Sequence, residues 1–163
     1  MPVARRALRL TPLTLALLAA AQVASAQEAT NLERVTVLGS RKTLPADNLT
    51  GLIAWLKANA DKVSQGNSGI GTPSHVSGIL FQNAIGARWA MIPYRSAGQT
   101  LNDLVAGQID IALDTPATSK PHLAAGTIKA YAVTAKSRIA LAPDVPTTDE
   151  AGLPGFYFSF WHA

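Results

Sequence analysis

The feature that most constrains this fold is an alternation of helix-type and strand-type segments that starts near residue 49. Apolar residues recur every three or four positions in the helix-type segments, whereas RWAMIPY, IDIALD and IKAYAVT are short apolar runs typical of strands. Four helices are predicted. The first lies around residues 52–60, the second starts near Pro73, the third stops at Gly107, and the fourth lies over PATSKPHLAAG. One face of the IDIALD strand is expected to be less buried. This alternation predicts an α/β fold, a mostly parallel sheet flanked by helices.

The first 26 residues are predicted to be a secretory signal peptide. Arg5, Arg6 and Arg9 precede an apolar run, and Ala24-Ser25-Ala26 supplies the small residues at a cleavage site after Ala26. The apolar run is about 12 residues, whereas a membrane-spanning helix needs about 20. With no cysteine in the chain, disulfides and thiolate metal sites are excluded. We therefore expect an exported, periplasmic protein.

Residues 27–48 are polar, with one short apolar alternation around Val37, and they lack helical periodicity. They are predicted to be a flexible tail or linker, with room for a short strand. The stretch LERVTVLGSRK resembles the start of the plug in TonB-dependent outer-membrane receptors. The predicted organisation is thus a signal peptide over 1–26, a linker over 27–48 and an α/β lobe over 49–163.

Charge does not favour nucleic acid or an anionic membrane as a partner. Three of the 14 basic residues lie in the predicted signal peptide, which leaves 11 basic residues against the ten acidic ones. The net charge after cleavage is then close to neutral, and a nucleic-acid-binding protein is expected to be strongly basic.

The three histidines, at 75, 122 and 162, are too far apart in sequence to form a metal-ligand motif.

The stretch GNSGIGTPSH, residues 66–75, is the most distinctive local motif. Thr72 suits a helix N-cap and Pro73 the first helical position, while glycines let a ligand approach the main chain. Free N–H groups at the start of a helix form an anion site, and ligands of open α/β sheets bind beyond the carboxyl ends of strands. Three other motifs do not fit this stretch. It has no lysine where a P-loop requires one and no third glycine where a dinucleotide-binding fingerprint requires one. Its glycine lies one position too early for a G-x-S-x-G nucleophile elbow. A capped helix without a ligand stays open as an alternative.

Two further turns follow strands. Tyr94 and Arg95 come after RWAMIP, and the arginine could make a two-pronged contact with a carboxylate or remain solvated. Asp114 and Thr115 come after the IDIALD strand, and Thr115 is predicted to cap the next helix. Three polar turns at strand ends predict a cleft for a small anionic ligand.

The sequence from residue 50 to 163 resembles the TctC-like (Bug) extracytoplasmic solute-binding proteins of tripartite tricarboxylate transport systems. The resemblance lies in ANADKVSQGNSGIGTPSHVSGILFQNAIG, MIPYRSAGQTLNDLVAGQIDIALDT, PHLAAGTIKAYAVT and APDVPTTDEAGLPGF. It implies a type II-like periplasmic-binding-protein fold, of which this chain carries the second lobe. It also implies a carboxylate ligand, no enzymatic activity, no cofactor and a monomer that works with the membrane components of the transporter.

The same resemblance implies the ligand contacts. Where the family has lysine and glycine after the tyrosine, this chain has Arg95 and Ser96, which keeps the charge but changes the loop. The residues carried over are Ser68, Gly69, Gly71, Thr72, His75, Tyr94, Arg95, Ala97 and Asp114.

Because the family has two lobes around its cleft, the resemblance implies that this chain is truncated. Charge-assisted hydrogen bonds contribute about 1.5–3 kcal/mol each, so losing those of the other lobe is expected to weaken binding. The alternatives are a remnant that no longer binds, or an interaction module attached to the receptor-like segment.

Overall fold

The computed structural model describes residues 33–160, and the predicted signal peptide lies outside that range. Within these residues, seven strands and four helices follow one another. They are β1 (Glu33–Arg34), β2 (Thr36–Ser40), α1 (Leu49–Ala58), β3 (Ser64–Asn67), α2 (Pro73–Ile85), β4 (Ala90–Pro93), α3 (Ala97–Ala106), β5 (Ile111–Asp114), α4 (Pro116–Ala124), β6 (Ile128–Val133) and β7 (Ser159–Phe160).

Five strands form the main sheet, in the order β4-β3-β5-β2-β6. β3 runs parallel to β4 and to β5, but β2 runs antiparallel to both of its neighbours, β5 and β6. Four of the strands therefore point the same way, and the sheet is mixed because β2 is inserted between them. The α/β fold with helices flanking a mostly parallel sheet is confirmed, and β2 is the one strand of the main sheet that runs the other way.

The prediction of a linker is wrong for the part of residues 27–48 that forms β2. Val37 and Leu38 are fully buried, and Gly39 lies where a side chain could not fit. A Cβ at Gly39 would lie 2.5 Å from Tyr131 Cε2 and 2.6 Å from Leu44 Cδ1. Glu33–Phe160 form one compact unit, so the folded part begins before residue 49. The sequence allows a short strand here, but it does not indicate that this strand lies in the interior of the sheet.

The helices cover both faces of the sheet. Successive residues of a strand point to opposite faces, so Val37 joins one core cluster with α1 and α2, and Leu38 joins another with α3. β5 shares this double burial, and all four of its residues are buried, contrary to the expectation of a less buried face. None of the helices that the structure describes is long and apolar enough to cross a membrane.

Local signals set the helix bounds as predicted. Asn48 caps α1 by accepting a hydrogen bond from Gly51 N at 2.8 Å. Gly107 ends α3 in the left-handed conformation, where glycine avoids the steric penalty of a Cβ. Beyond β6, the chain returns so that Phe156 packs on Phe81 with ring centroids 5.7 Å apart.

We expect Leu38→Ala to lower the free energy of unfolding by about 2–5 kcal/mol, because it removes a fully buried side chain from β2. Urea unfolding followed by circular dichroism measures this. Leu80→Ala is the matched control, since Leu80 on α2 is 42% exposed, and a surface change is usually worth about 0.5 kcal/mol or less. Equal effects of the two substitutions would contradict the placement of β2 in the core.

Candidate binding site at the carboxyl edge of the sheet

The carboxyl ends of β3, β4 and β5 meet at one edge of the sheet. Asn67 is in register with Pro93, and Gly66 with Ala112, so Ser68, Tyr94 and Asp114 follow at about the same level. Neighbouring strands lie about 4.8 Å apart, which places these three residues across about 10 Å of the edge. The main chain ties two of the turns together, since Tyr94 N donates to Asn67 O at 2.8 Å.

The turn between β3 and α2 depends on two glycines with positive φ, Gly69 at 123° and Gly71 at 82°. Few residues other than glycine adopt such angles, so this path requires them. Asn67 Oδ1 accepts from Gly69 N at 3.1 Å, and Thr72 Oγ1 donates to Gly69 O at 2.6 Å. Side chains at both ends of the turn therefore hold its shape.

A cluster of three hydroxyl groups lies at the start of α2. Ser74 Oγ accepts from Ser68 N at 2.9 Å, and it lies 2.8 Å from Ser68 Oγ and 3.1 Å from Thr72 Oγ1. Thr72 also caps the helix as predicted, because its Oγ1 accepts from His75 N at 3.4 Å. Sequence reasoning missed Ser74, which is 6% exposed. Its only signal was a hydroxyl residue two positions after the cap.

His75 folds back on the turn. Its Nδ1 accepts from Gly71 N at 3.3 Å, so in the neutral ring the proton is on Nε2. That nitrogen can donate to a ligand. The N–H groups of Ser68, Gly69 and Gly71 are all used within the turn, so less of the main chain is open to an anion than the glycine pattern predicts.

Tyr94 is oriented toward α3. Its hydroxyl donates to Asp103 Oδ2 at 2.8 Å, and burial together with this hydrogen bond raises the pKa of Tyr94 to about 12. The hydroxyl proton of Tyr94 is therefore donated to Asp103, while the hydroxyl oxygen can still accept a hydrogen bond.

The side chain of Arg95 is exposed and forms no ion pair with any residue between 33 and 160. Its main-chain N–H donates to Gln99 Oε1 at 3.2 Å, which fixes the loop. Ser96 caps α3 by accepting from Gln99 N at 3.3 Å, and Ala97 is the first residue of the helix. The serine that departs from the family pattern thus has a structural role, and the arginine stays free to contact a ligand.

Asp114 ends β5 with its side chain inside the protein. It is 7% exposed, its Oδ1 accepts from Thr115 N at 2.7 Å, and its buried Oδ2 has no partner among the described residues. Burial raises the pKa of Asp114, and the hydrogen bond from Thr115 opposes that rise. Thr36 on β2 is the register partner of Asp114, and its buried Oγ1 is also without a described partner.

Thr115 stands at the N-cap position of α4 but does not cap it through its side chain. Its hydroxyl instead lies 3.1 Å from Thr118 Oγ1. The predicted side-chain cap is therefore wrong. Within residues 33–160, no group of three or more His, Asp or Glu side chains could hold a metal ion.

Every residue carried over from the family motifs lies on one of these turns or at the first residues of the helix that follows, except Asp114, which is the last residue of β5. The turns after β3 and β4 are adjacent, and Asp114 lies beside the first of them. The arrangement offers one free guanidinium, a histidine donor, several hydroxyls and two capped helix starts. It suits a small anion held by hydrogen bonds.

Solved structures with the same fold define the class. BugD, a periplasmic binding protein, superposes with a TM-score of 0.75 at 36% identity, covering 80% of this chain and 44% of BugD. MatC from Rhodopseudomonas palustris with bound malate gives 0.75 at 32%, covering 78% and 43%. R. palustris Rpa4515 with adipate gives 0.74 at 32%, covering 80% and 44%. The fold is that of part of a periplasmic binding protein.

The family follows from the sequence comparisons. A profile described as the tripartite tricarboxylate transporter family receptor, TctC, matches residues 5–163. The UPF0065 protein in the TAR-I ttuE-ttuC' intergenic region of Agrobacterium vitis is 41% identical over 129 residues, which are 79% of this chain and 37% of that protein. The chain belongs to the TctC family of solute-binding receptors, and it spans less than half the length of these relatives.

These matches also bear on the expected linker. The 129 residues matched in the Agrobacterium protein exceed those that 49–163 contains, so the similarity reaches back into β2. The family profile covers the whole of 27–48. β2 is therefore part of the family domain, and the resemblance to a receptor plug stays a prediction.

We expect Thr72→Ala to lower the free energy of unfolding by about 0.5–2 kcal/mol, since it removes the cap of α2. Thr72→Ser keeps the hydroxyl and should restore most of the loss. Thr115→Ala is the matched control, because Thr115 stands at an N-cap without a side-chain cap bond and should lose less. Thermal and urea unfolding measure all three, and an equal loss at both threonines would contradict this account of the cap.

Asp114→Asn should change how stability depends on pH. The folded-state pKa of Asp114 is raised, so its contribution is fully present below the unfolded pKa of about 3.9 and is lost as pH rises through the folded pKa. The Asn variant lacks this loss. Its free energy of unfolding, relative to the parent chain, should therefore increase from about pH 4 toward neutrality and then level off.

Urea unfolding at several pH values measures this difference, and Asp61→Asn at an exposed carboxylate is the control. The difference in free energy of unfolding between Asp114→Asn and the parent chain is expected to change with pH. If it does not, Asp114 ionises as readily in the folded protein as in the unfolded one, which would contradict the prediction.

Proposed function

We propose that this chain is the carboxylate-binding lobe of a periplasmic receptor for a tripartite tricarboxylate transport system. The observation that carries the proposal is the meeting of three polar turns at one sheet edge, with an arginine there that has no ion-pair partner among the described residues. The ligands bound by similar proteins support it, since MatC holds malate and Rpa4515 holds adipate. Both ligands are dicarboxylates.

The residues at the edge take separate roles in this proposal. Arg95 pairs with one carboxylate group of the ligand through two parallel N–H donors. His75 donates from Nε2, and Ser68 and Thr72 supply hydroxyls. The main chain at Gly69, Gly71 and Ala97 forms the wall that the ligand approaches, and Tyr94 OH offers an acceptor next to it.

Asp114 is the residue least suited to an anion. A carboxylate beside a bound carboxylate would repel it, but burial favours the neutral acid, which can donate a hydrogen bond. We assign the protonated carboxyl of Asp114 the role of a hydrogen-bond donor. Thr36, its register partner on β2, carries a buried hydroxyl that also has no described partner. Binding is then stronger at mildly acidic pH.

The chain spans 43–44% of the three solved structures. Charge-assisted hydrogen bonds contribute about 1.5–3 kcal/mol each, so a lobe that binds alone, with two such contacts fewer than a whole site, binds weaker by two orders of magnitude or more. For the lobe alone we propose sub-millimolar or weaker affinity. We also propose export after cleavage at Ala26 and docking to the membrane components of the transporter.

Calorimetric titration with malate, adipate and citrate tests the proposal. We expect Arg95→Gln to weaken binding about tenfold, because it removes the charge that faces the ligand. Arg88→Gln is the matched control, since Arg88 is an exposed arginine on the loop before β4, at the opposite end of that strand. The absence of heat at about 10 mM of every ligand would overturn the claim that this chain binds carboxylates.

A further inference from the structure

A second cavity lies at the opposite edge of the sheet. It has a volume of about 470 Å³ and is bounded by the end of α4, the start of β6 and residues 141–145. Ile128, at the cavity, is in register with Ser40 at one end of β2, whereas Asp114 is in register with Thr36 at the other end. Four residues of strand separate the two by about 13 Å, so this cavity is distinct from the carboxyl-edge site.

The walls of this cavity are aliphatic. Leu123, Leu141, Pro143 and Val145 line it, the buried Ile128 lies at its base, and no aromatic side chain among residues 33–160 does so. Leu141 is 48% exposed. A cavity of this size is within the range that holds small organic ligands, which bury apolar surface against such walls.

Two cationic side chains are available at this cavity, with one acidic side chain beside them among the described residues. Arg41 and Lys120 line the cavity together with Asp144. Arg41 is anchored by Nε, which donates to Ile128 O at 3.4 Å, so its terminal nitrogens stay available. Lys129 also lines the cavity, but its Nζ donates to Ala46 O at 3.1 Å and lies 3.4 Å from Asp47, on the other face of the sheet from Leu123, so its charge is not directed at the apolar walls. The exposed Lys120 has no described ion-pair partner.

We propose that this cavity is a second ligand site, which binds a straight-chain aliphatic carboxylic acid of medium length. The alkyl chain lies against Leu123, Leu141 and Val145, and the carboxylate faces Lys120 and Arg41. Because the walls are aliphatic, a second charged group on the ligand would have no polar partner there. This disfavours dicarboxylates and inorganic phosphate. The cations in turn disfavour an uncharged alcohol of the same length. The site is independent of the function proposed for the carboxyl edge.

Titration of the ¹⁵N-labelled chain with octanoate, followed by amide chemical shifts, tests the inference. We expect the largest shifts at Ala124, Ile128, Ala130 and Ala142, with little change at Gly69 and Gly71. Octanol, succinate and inorganic phosphate are the comparison ligands, and each should bind at least about fivefold more weakly than octanoate.

Two substitutions test separately how much the charge and the apolar contact contribute to octanoate binding. Lys120→Gln should weaken octanoate binding about two- to fivefold, the range typical of an exposed charge pair, and Leu141→Ser should weaken it further. Lys57→Gln is the control, because Lys57 is an exposed lysine on α1, and it should leave binding unchanged.

Three results would overturn the inference. Octanol binding as tightly as octanoate would show an apolar patch without charge recognition. Phosphate binding as tightly as octanoate would show a general anion site. Octanoate shifts confined to residues 68–72, or absent at about 10 mM, would show that the second cavity takes no such acid, whatever becomes of the carboxyl-edge proposal.

Discussion

The rest of the structure depends on the antiparallel pairing of β2 between β5 and β6. Because β6 is hydrogen-bonded to β2 alone among the named strands, the main sheet would end at β5 without it. β2 also supplies a buried residue to each face, Val37 to one core cluster and Leu38 to the other. A single strand of five residues thus joins β6 to the three strands β4, β3 and β5. It also packs against both layers of helices, because it is buried on both faces.

The carboxyl-edge site follows from this sheet and from three helix starts. Parallel pairing of β3 with β4 and β5 brings the turns to one level, and the caps at Thr72 and Ser96 hold the loops without a ligand. The turns are formed in advance, so the proposed binding of a carboxylate does not have to order them. Much of their hydrogen-bonding capacity is satisfied internally, so the proposed recognition rests mainly on side chains such as Arg95.

Local signals allowed most elements and the turns of the candidate site to be predicted, and non-local pairing explains what was missed. Thr72-Pro73 and Gly107 mark helix ends through interactions within a few residues, so they can be found in one sequence. β2 could not be placed, because its partners come far later in the chain and its alternation is short. Thr36 was missed for the same reason, and Ser74 because its role depends on how the turn folds back. Thr115 carries the signal of a cap, but its hydroxyl meets Thr118 instead.

The position of β2 has a consequence for how the chain reaches its folded state. β2 precedes nearly all the other described elements, yet both of its partner strands come after α3 and one comes after α4. Closing such long loops is entropically costly, and proteins rich in distant contacts fold slowly. During synthesis, β2 stays without its partner strands until β5 and β6 have followed. An interior strand of the sheet is therefore among the last of the described elements to be covered on both sides.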